Sequence, residues 1–144
     1  MQQRYPELMI APMRREISEL GAVDLRTPEA VDQFLDRAQA GTAMIVVNSV
    51  CGCSAGTMRP GLAMALQQGP KPAAIGQVFA GADLEATERA RELFAPYPPS
   101  SPAIALFKDG ELVFMLERHQ IQGRPPEAIA GALSSAIESH SAAA

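Results

Sequence analysis

The stretch Ala43-Met44-Ile45-Val46-Val47-Asn48-Ser49-Val50-Cys51-Gly52-Cys53-Ser54-Ala55-Gly56 decides how the rest of the chain is read. Its opening run, Ala43 to Asn48, is apolar on both faces of an extended backbone, which predicts a central strand covered on two sides. That strand delivers the chain's two cysteines into a turn of small residues ahead of a helical pattern. A thiolate at the start of a helix meets unpaired N–H groups and the positive end of the backbone dipoles, so its pKa falls. Structural cysteines scatter along a chain; these share one turn, and the reading is therefore redox chemistry rather than buried sulfur.

With one residue between the cysteines, a disulfide would close a small ring. In an extended strand the two Cβ atoms point to opposite faces, so bridging requires a turn, which Gly52 permits by tolerating positive φ. A ring held in poor geometry is easily reduced, which predicts a couple more oxidising than a structural disulfide. From Arg37 to Ala82 the sequence contains no Asp or Glu, so no nearby carboxylate in sequence opposes a thiolate. Arg59 either favours that thiolate directly or is an ordinary solvated helix residue. Asn48 and Ser49 are expected to hydrogen-bond the loop backbone. His119 reads either as a proton shuttle or anion contact beside Arg118, or as a plain polar residue at a strand end. Two cysteines with the distant His119 and His140 make a poor tetrahedral set, so no metal is expected, although two copies of the loop could share a cluster.

At 144 residues, 47% hydrophobic and 19% charged, the chain is expected to form one domain over 1–144. A net charge of −4 argues against nonspecific nucleic-acid binding, which needs a basic footprint. No apolar stretch is long enough for a membrane span, and Met1 to Pro6 lacks the apolar core of a signal peptide. The cytoplasm is the expected location, where disulfides are transient and catalytic.

Leu8 to Leu20 predicts a first helix, with Leu8, Ile17 and Leu20 as buried positions and Pro12 as either its true start or a kink. This segment, 1–20, reads as an N-terminal helical extension. Ala22 to Arg26 alternates as an outer strand, and Thr27-Pro28 starts a helix to Gln39. Beyond the cysteines follow a helix from Met58 to Gln67, a strand from Ala73 to Phe79, and a helix through Phe94 with Asp83 as N-cap. Ala103–Phe107 and Glu111–Met115 flank Lys108-Asp109-Gly110 as a hairpin. Pro125 to Glu138 closes the fold as a helix, leaving 139–144 as a flexible tail.

Alternating units of this kind predict an α/β fold with a central mixed sheet flanked by helices. With a redox cysteine after the second strand and a proline before the hairpin, the arrangement resembles the thioredoxin-like fold, with one extra N-terminal helix. In that fold a cis-proline sits opposite the active cysteine, and Ser101-Pro102 occupies the matching place. Only about 5–6% of X–Pro bonds are cis in folded proteins, so it is the topological position that carries this expectation.

Val47 to Gly56 with Arg59-Pro60 closely resembles the bacilliredoxin family. The likeness continues in Ala11-Pro12-Met13-Arg14, Val78-Phe79-Ala80-Gly81, Pro99-Ser100-Ser101-Pro102, Lys108-Asp109-Gly110 and Glu117-Arg118-His119. The resemblance implies an enzyme that reduces mixed disulfides between protein cysteines and bacillithiol, with bacillithiol as co-substrate and no organic cofactor. It implies that Cys51 attacks the mixed disulfide and that Cys53 either resolves the adduct or supports the thiolate. Weak disulfide isomerase activity belongs to the same expectation, as do bacillithiolated protein partners and a monomeric or weakly dimeric state. The alternative is a non-enzymatic redox sensor or adaptor whose Cys-Gly-Cys loop is itself the modified target.

Overall fold

The doubly apolar run becomes the middle of a five-stranded sheet. In the computed structural model, which describes residues 4–141, β2 (Thr42–Asn48) is buried at every position. On it pack β3 (Ala74–Phe79), parallel, and β4 (Ala103–Lys108), antiparallel. The two-residue β1 (Val23–Asp24) lies outside β3, and β5 (Glu111–Leu116) lies outside β4, giving the order β1-β3-β2-β4-β5. Among the described residues, six α-helices flank the mixed sheet: α1 (Glu7–Ser18), α2 (Pro28–Arg37), α3 (Arg59–Gln68), α4 (Leu84–Leu93), α5 (Arg118–Ile121) and α6 (Pro126–Ser141).

Strand alternation sorts the side chains into two cores. Met44 and Val46 face α1, α3 and α6 with Ile104, Leu106 and Leu116, against Ile17, Leu62 and Ile129. Ala43, Ile45 and Val47 face α2 and α4 with Ala105 and Phe107, against Val31, Phe34, Ala90 and Phe94. A strand with one polar face would leave one of these helix layers without a partner.

Local chemistry sets the element ends. The Thr27 side chain accepts the Ala30 N–H at 3.1 Å ahead of Pro28, the expected cap of α2. Asp109 and Gly110 both have positive φ, at 51° and 85°, and close the hairpin between β4 and β5 as a two-residue turn. The α3–α6 contact leaves no room at Gly61, where an added Cβ would lie 2.6 Å from Ile129 Cβ and 2.9 Å from the Pro126 carbonyl. Gly61→Ala is expected to cost about 1–3 kcal/mol in urea denaturation, the usual range for overpacking. A variant as stable as the parent would show that these helices yield at the contact.

Several expectations are corrected. The first helix runs from Glu7 through Pro12 to Ser18 rather than beginning at the proline. Its buried face is Ile10, Arg14 and Ile17, spaced by four and three, whereas Leu8 is 94% exposed and Leu20 is only partly buried. The described part of the 1–20 extension packs its helix against one face of the sheet through Ile17. The last helix continues to Ser141, since no Gly or Pro interrupts it after Glu138; residues 142–144 of the expected tail lie outside the described residues.

Candidate redox site

The cysteines sit where β2 hands over to a helix. Cys51 ends the turn, its carbonyl accepts the Ser54 N–H at 3.0 Å and the Ala55 N–H at 3.2 Å, and residues 52–53 are already helical. A π-helical turn, Ser54–Met58, intervenes before α3, closed by the Arg59 N–H bonding the Ser54 carbonyl. Pro60 explains it: a proline removes an i→i−4 bond and crowds the preceding turn, and widening that turn by one residue accommodates the ring. The expected helix start at Met58 missed this turn.

This helical path, not a glycine turn, brings the sulfurs together. Gly52 is absent from the positive-φ positions, so the expectation of a left-handed turn there is overturned. The backbone leaves Cys51 Sγ and Cys53 Sγ 2.7 Å apart as free thiols, both half-buried. Gly52 itself is exposed, and an added Cβ would meet nothing within 4 Å, projecting into open space.

The two thiols are driven apart in acidity. Burial alone would raise Cys51, but hydrogen bonds from the Cys53 thiol, the Ser49 hydroxyl and the Ser54 and Cys53 amides outweigh it, and its pKa is lowered. Burial raises Cys53, and the hydrogen bond and charge of a Cys51 thiolate raise it further, against a smaller lowering by Arg118. The Ser49 hydroxyl has no partner among the described residues in the resting site. A neutral thiol is a weak acceptor whereas a thiolate is a strong one, so this hydroxyl is held for the ionised state.

Beneath the loop lies a buried polar network. Asn48 Oδ1 accepts from the Ser49 N–H at 2.9 Å, Ser54 Oγ at 3.1 Å and Arg59 at 3.0 Å. Its amide nitrogen donates to the Met13 carbonyl at 3.1 Å and to Gln77 Oε1 at 3.2 Å. Arg59 is 4% exposed and donates to the Ser49 carbonyl at 2.9 Å and to Ser54 Oγ at 3.1 Å. Its Nε lies 3.2 Å from Glu16 Oε2, with the N–H misdirected, so charge rather than a hydrogen bond links them. Arg59 is thus neither a solvated helix residue nor a direct partner of the sulfur: it shapes the loop that carries it. The acid-free window of the sequence is also broken in space, because Glu16 arrives from α1.

On the other side of the cysteines, the Ser101–Pro102 bond is cis, as is Ala95–Pro96, which the sequence did not suggest. Pro102 is buried, and it is Ser101 that lines a cleft with Cys51. Arg118, at the start of α5, ties itself to this loop through its N–H to Ser100 Oγ at 3.3 Å and its guanidinium to the Ser101 carbonyl at 3.2 Å. His119 is exposed and does not line the cleft. Among the described residues, no three His, Cys, Asp or Glu side chains converge as metal ligands would. No helix among them is long and apolar enough to cross a membrane.

Known proteins resemble this chain in sequence and in fold. The family described as disulphide isomerase matches residues 5–141. A bacilliredoxin of Cytophaga hutchinsonii is 56% identical over 126 residues, covering 88% of this chain and 92% of the relative. A bacilliredoxin of Koribacter versatilis is 48% identical, covering 94% of this chain and 93% of the relative. Among solved structures, a mutant thioredoxin from Halobacterium salinarum matches with a TM-score of 0.58 at 16% identity, covering 85% of this chain and 93% of that one. Mitochondrial thioredoxin 3 of Saccharomyces cerevisiae gives 0.52 at 19% identity, covering 83% and 95%. The structural likeness establishes the thioredoxin fold alone, while the sequence matches establish kinship and a thiol redox function. The chain belongs to the bacilliredoxin family.

Proposed function

We propose that this protein is a cytoplasmic thiol–disulfide oxidoreductase that strips bacillithiol from protein cysteines, with Cys51 as nucleophile and Cys53 as resolving thiol. The observation that carries the reading is the pair of free thiols 2.7 Å apart whose acidities are shifted in opposite directions. An attacking thiol must be ionised, and a resolving thiol must stay protonated until its neighbour is consumed.

The Cys51 thiolate attacks the bacillithiol sulfur of the mixed disulfide. One S–S bond forms as another breaks, and the protein cysteine leaves as a thiolate. Once Cys51 is bonded, its charge no longer holds up the Cys53 pKa, and Cys53 ionises. Attack of Cys53 on the Cys51 sulfur releases bacillithiol as its thiolate and leaves a Cys51–Cys53 disulfide. Two electrons have passed from the cysteine pair to the substrate, and a second thiol reductant must return them. The same exchange on a protein disulfide supplies weak isomerase activity.

Mass spectrometry of Cys53→Ser incubated with a bacillithiolated protein tests the assignment. The expected product is a stable adduct of one bacillithiol on Cys51, with one equivalent of reduced protein substrate released. A wild-type protein that accepts a single equivalent and never turns over, even with reductant present, would support the sensor reading and defeat this one.

A further inference from the structure

Removal of a small thiol leaves the cysteine pair oxidised, and a reducing thiol must then attack one of its two sulfurs. A thiol that bonds to Cys51 expels Cys53 and runs the resolving step backwards. A thiol that bonds to Cys53 expels Cys51 instead. In such an exchange the sulfur that leaves faster is the one whose thiolate is better stabilised. Both cysteines are half-buried, so access does not choose between them and their surroundings decide. Those surroundings are unequal. Ser49 is 6% exposed, and its hydroxyl has no hydrogen-bond partner among the described residues. It lines the same cleft as Cys51. Its backbone is held from behind: the N–H donates to Asn48 Oδ1 at 2.9 Å, and the carbonyl accepts from Arg59 at 2.9 Å. A buried hydroxyl with a free proton is costly until an acceptor arrives, and a Cys51 thiolate is that acceptor. Cys51 also stands where the helix begins, and the amides of Ser54 and Cys53 help to hold its charge. Cys53 lies inside the helix and does not line the cleft. Arg118 acts on it by charge alone, with its Nη1 donating to the Ser101 carbonyl at 3.2 Å.

We infer that Ser49 is a catalytic residue of the recycling half-reaction: its hydroxyl receives Cys51 as the leaving thiolate, so the reducing thiol becomes bonded to Cys53. This inference rests on the proposed removal of small-thiol adducts and adds the order in which the pair is restored. A reducing thiolate attacks Cys53 Sγ. The bond from its sulfur to Cys53 forms, the Cys51–Cys53 bond breaks, and Cys51 leaves as a thiolate to which the Ser49 O–H donates. A second reducing thiolate attacks the small-thiol sulfur of that adduct. The two small thiols leave as their disulfide, and Cys53 departs as a thiolate that takes up a proton. Two electrons have returned to the pair, and Cys51 is ionised before Cys53 is free. The recycling intermediate therefore stays off the nucleophile, which keeps it apart from the adduct formed during removal.

The test treats the oxidised full-length protein briefly with a few equivalents of 2-mercaptoethanol, a small neutral thiol. Acid then stops further exchange, pepsin digests the protein in the same acid, and fragment masses place the adduct on one cysteine or the other. The expected result is an adduct on Cys53 in roughly tenfold excess over Cys51, the scale of one hydrogen bond to a charged group. In Ser49→Ala that excess should fall to about twofold, because only the amides then favour the Cys51 thiolate, and the pair should be reduced more slowly. Ser49→Thr, which keeps a hydroxyl, should retain most of the excess. Should the variants disturb the loop, the position of the adduct in the wild-type protein decides. An adduct mainly on Cys51, one shared evenly, or a distribution unchanged in Ser49→Ala overturns the inference. Removal of the small thiol by Cys51 then still stands, because the adduct on Cys53→Ser reports it separately. An oxidised pair that neither 2-mercaptoethanol nor dithiothreitol reduces overturns both.

Discussion

Replacing Cys51 by serine is expected to lower turnover of a bacillithiolated protein by about three orders of magnitude or more, the scale of deleting a covalent nucleophile. The substitution is nearly isosteric at a half-buried position, so the fold should lose less than about 1 kcal/mol. In the parent protein, alkylation of Cys51 measured against pH gives the sign independently. Only the thiolate reacts, and its pKa is lowered, so the rate should rise with pH and level off at a midpoint below the ~8.5 of an ordinary cysteine. Because a Cys53 hydrogen bond is the largest of the stabilising contributions to that thiolate, Cys53→Ala should move the midpoint upward. Cys53→Ser, which keeps a hydroxyl donor, should move it less. A Cys51 variant that still turns over, or a midpoint above that of a model thiol, would remove Cys51 from the nucleophile's role.

The parts of this site that could be read from the sequence are those whose cause is local. Burial on both faces of β2 follows from five consecutive apolar residues, and the α2 cap and the hairpin turn follow from Thr27-Pro28 and Asp109-Gly110. The cysteines announce themselves by composition and spacing. The cis Ser101–Pro102 bond was legible from topology, because the fold fixes which loop precedes the hairpin. The π-turn carried a usable signal in Pro60, overlooked because a proline so near a helix start usually needs no accommodation. What could not be read depends on side chains meeting across the fold. Arg59 and Glu16 lie on different helices, and nothing near them in sequence marks Arg59 as buried or pairs the two. Arg14 and Arg91 look like the ordinary charged residues of amphipathic helices, and only the packed chain reveals that one is buried and the other unpartnered. Asp83 stands at the N-cap of α4, yet its carboxylate does not cap that helix; it is taken by the Phe79 N–H at 3.0 Å and by Arg14.

That last pairing carries the largest stability effect expected of any single substitution here. Arg14 Nη1 and Nη2 reach the two Asp83 oxygens at 2.8 and 3.1 Å, and Nε and Nη2 reach those of Glu7 at 3.1 and 3.0 Å. The Arg14 and Asp83 side chains are 4% and 7% exposed, and the guanidinium lies 5.6 Å from the centre of the Phe79 ring. Burial by itself would lower the Arg14 pKa, but the bonds to Asp83 and Glu7 outweigh it and raise it, so the group is charged at any working pH. Arg14→Met fills much of the volume but strands a buried carboxylate, and should cost about 3–5 kcal/mol in urea denaturation. Adding Asp83→Asn should recover part of that loss, because the stranded charge is then gone. The consequence reaches the redox site: the Arg14 carbonyl accepts from Gln77 at 2.9 Å, and Gln77 in turn accepts from the amide nitrogen of Asn48, whose Oδ1 shapes the cysteine loop. Arg14→Met should therefore also slow Cys51 alkylation at neutral pH, even at temperatures where the variant stays folded. A loss below about 1 kcal/mol, with alkylation unchanged, would mean that α1 rests on the domain without positioning its chemistry.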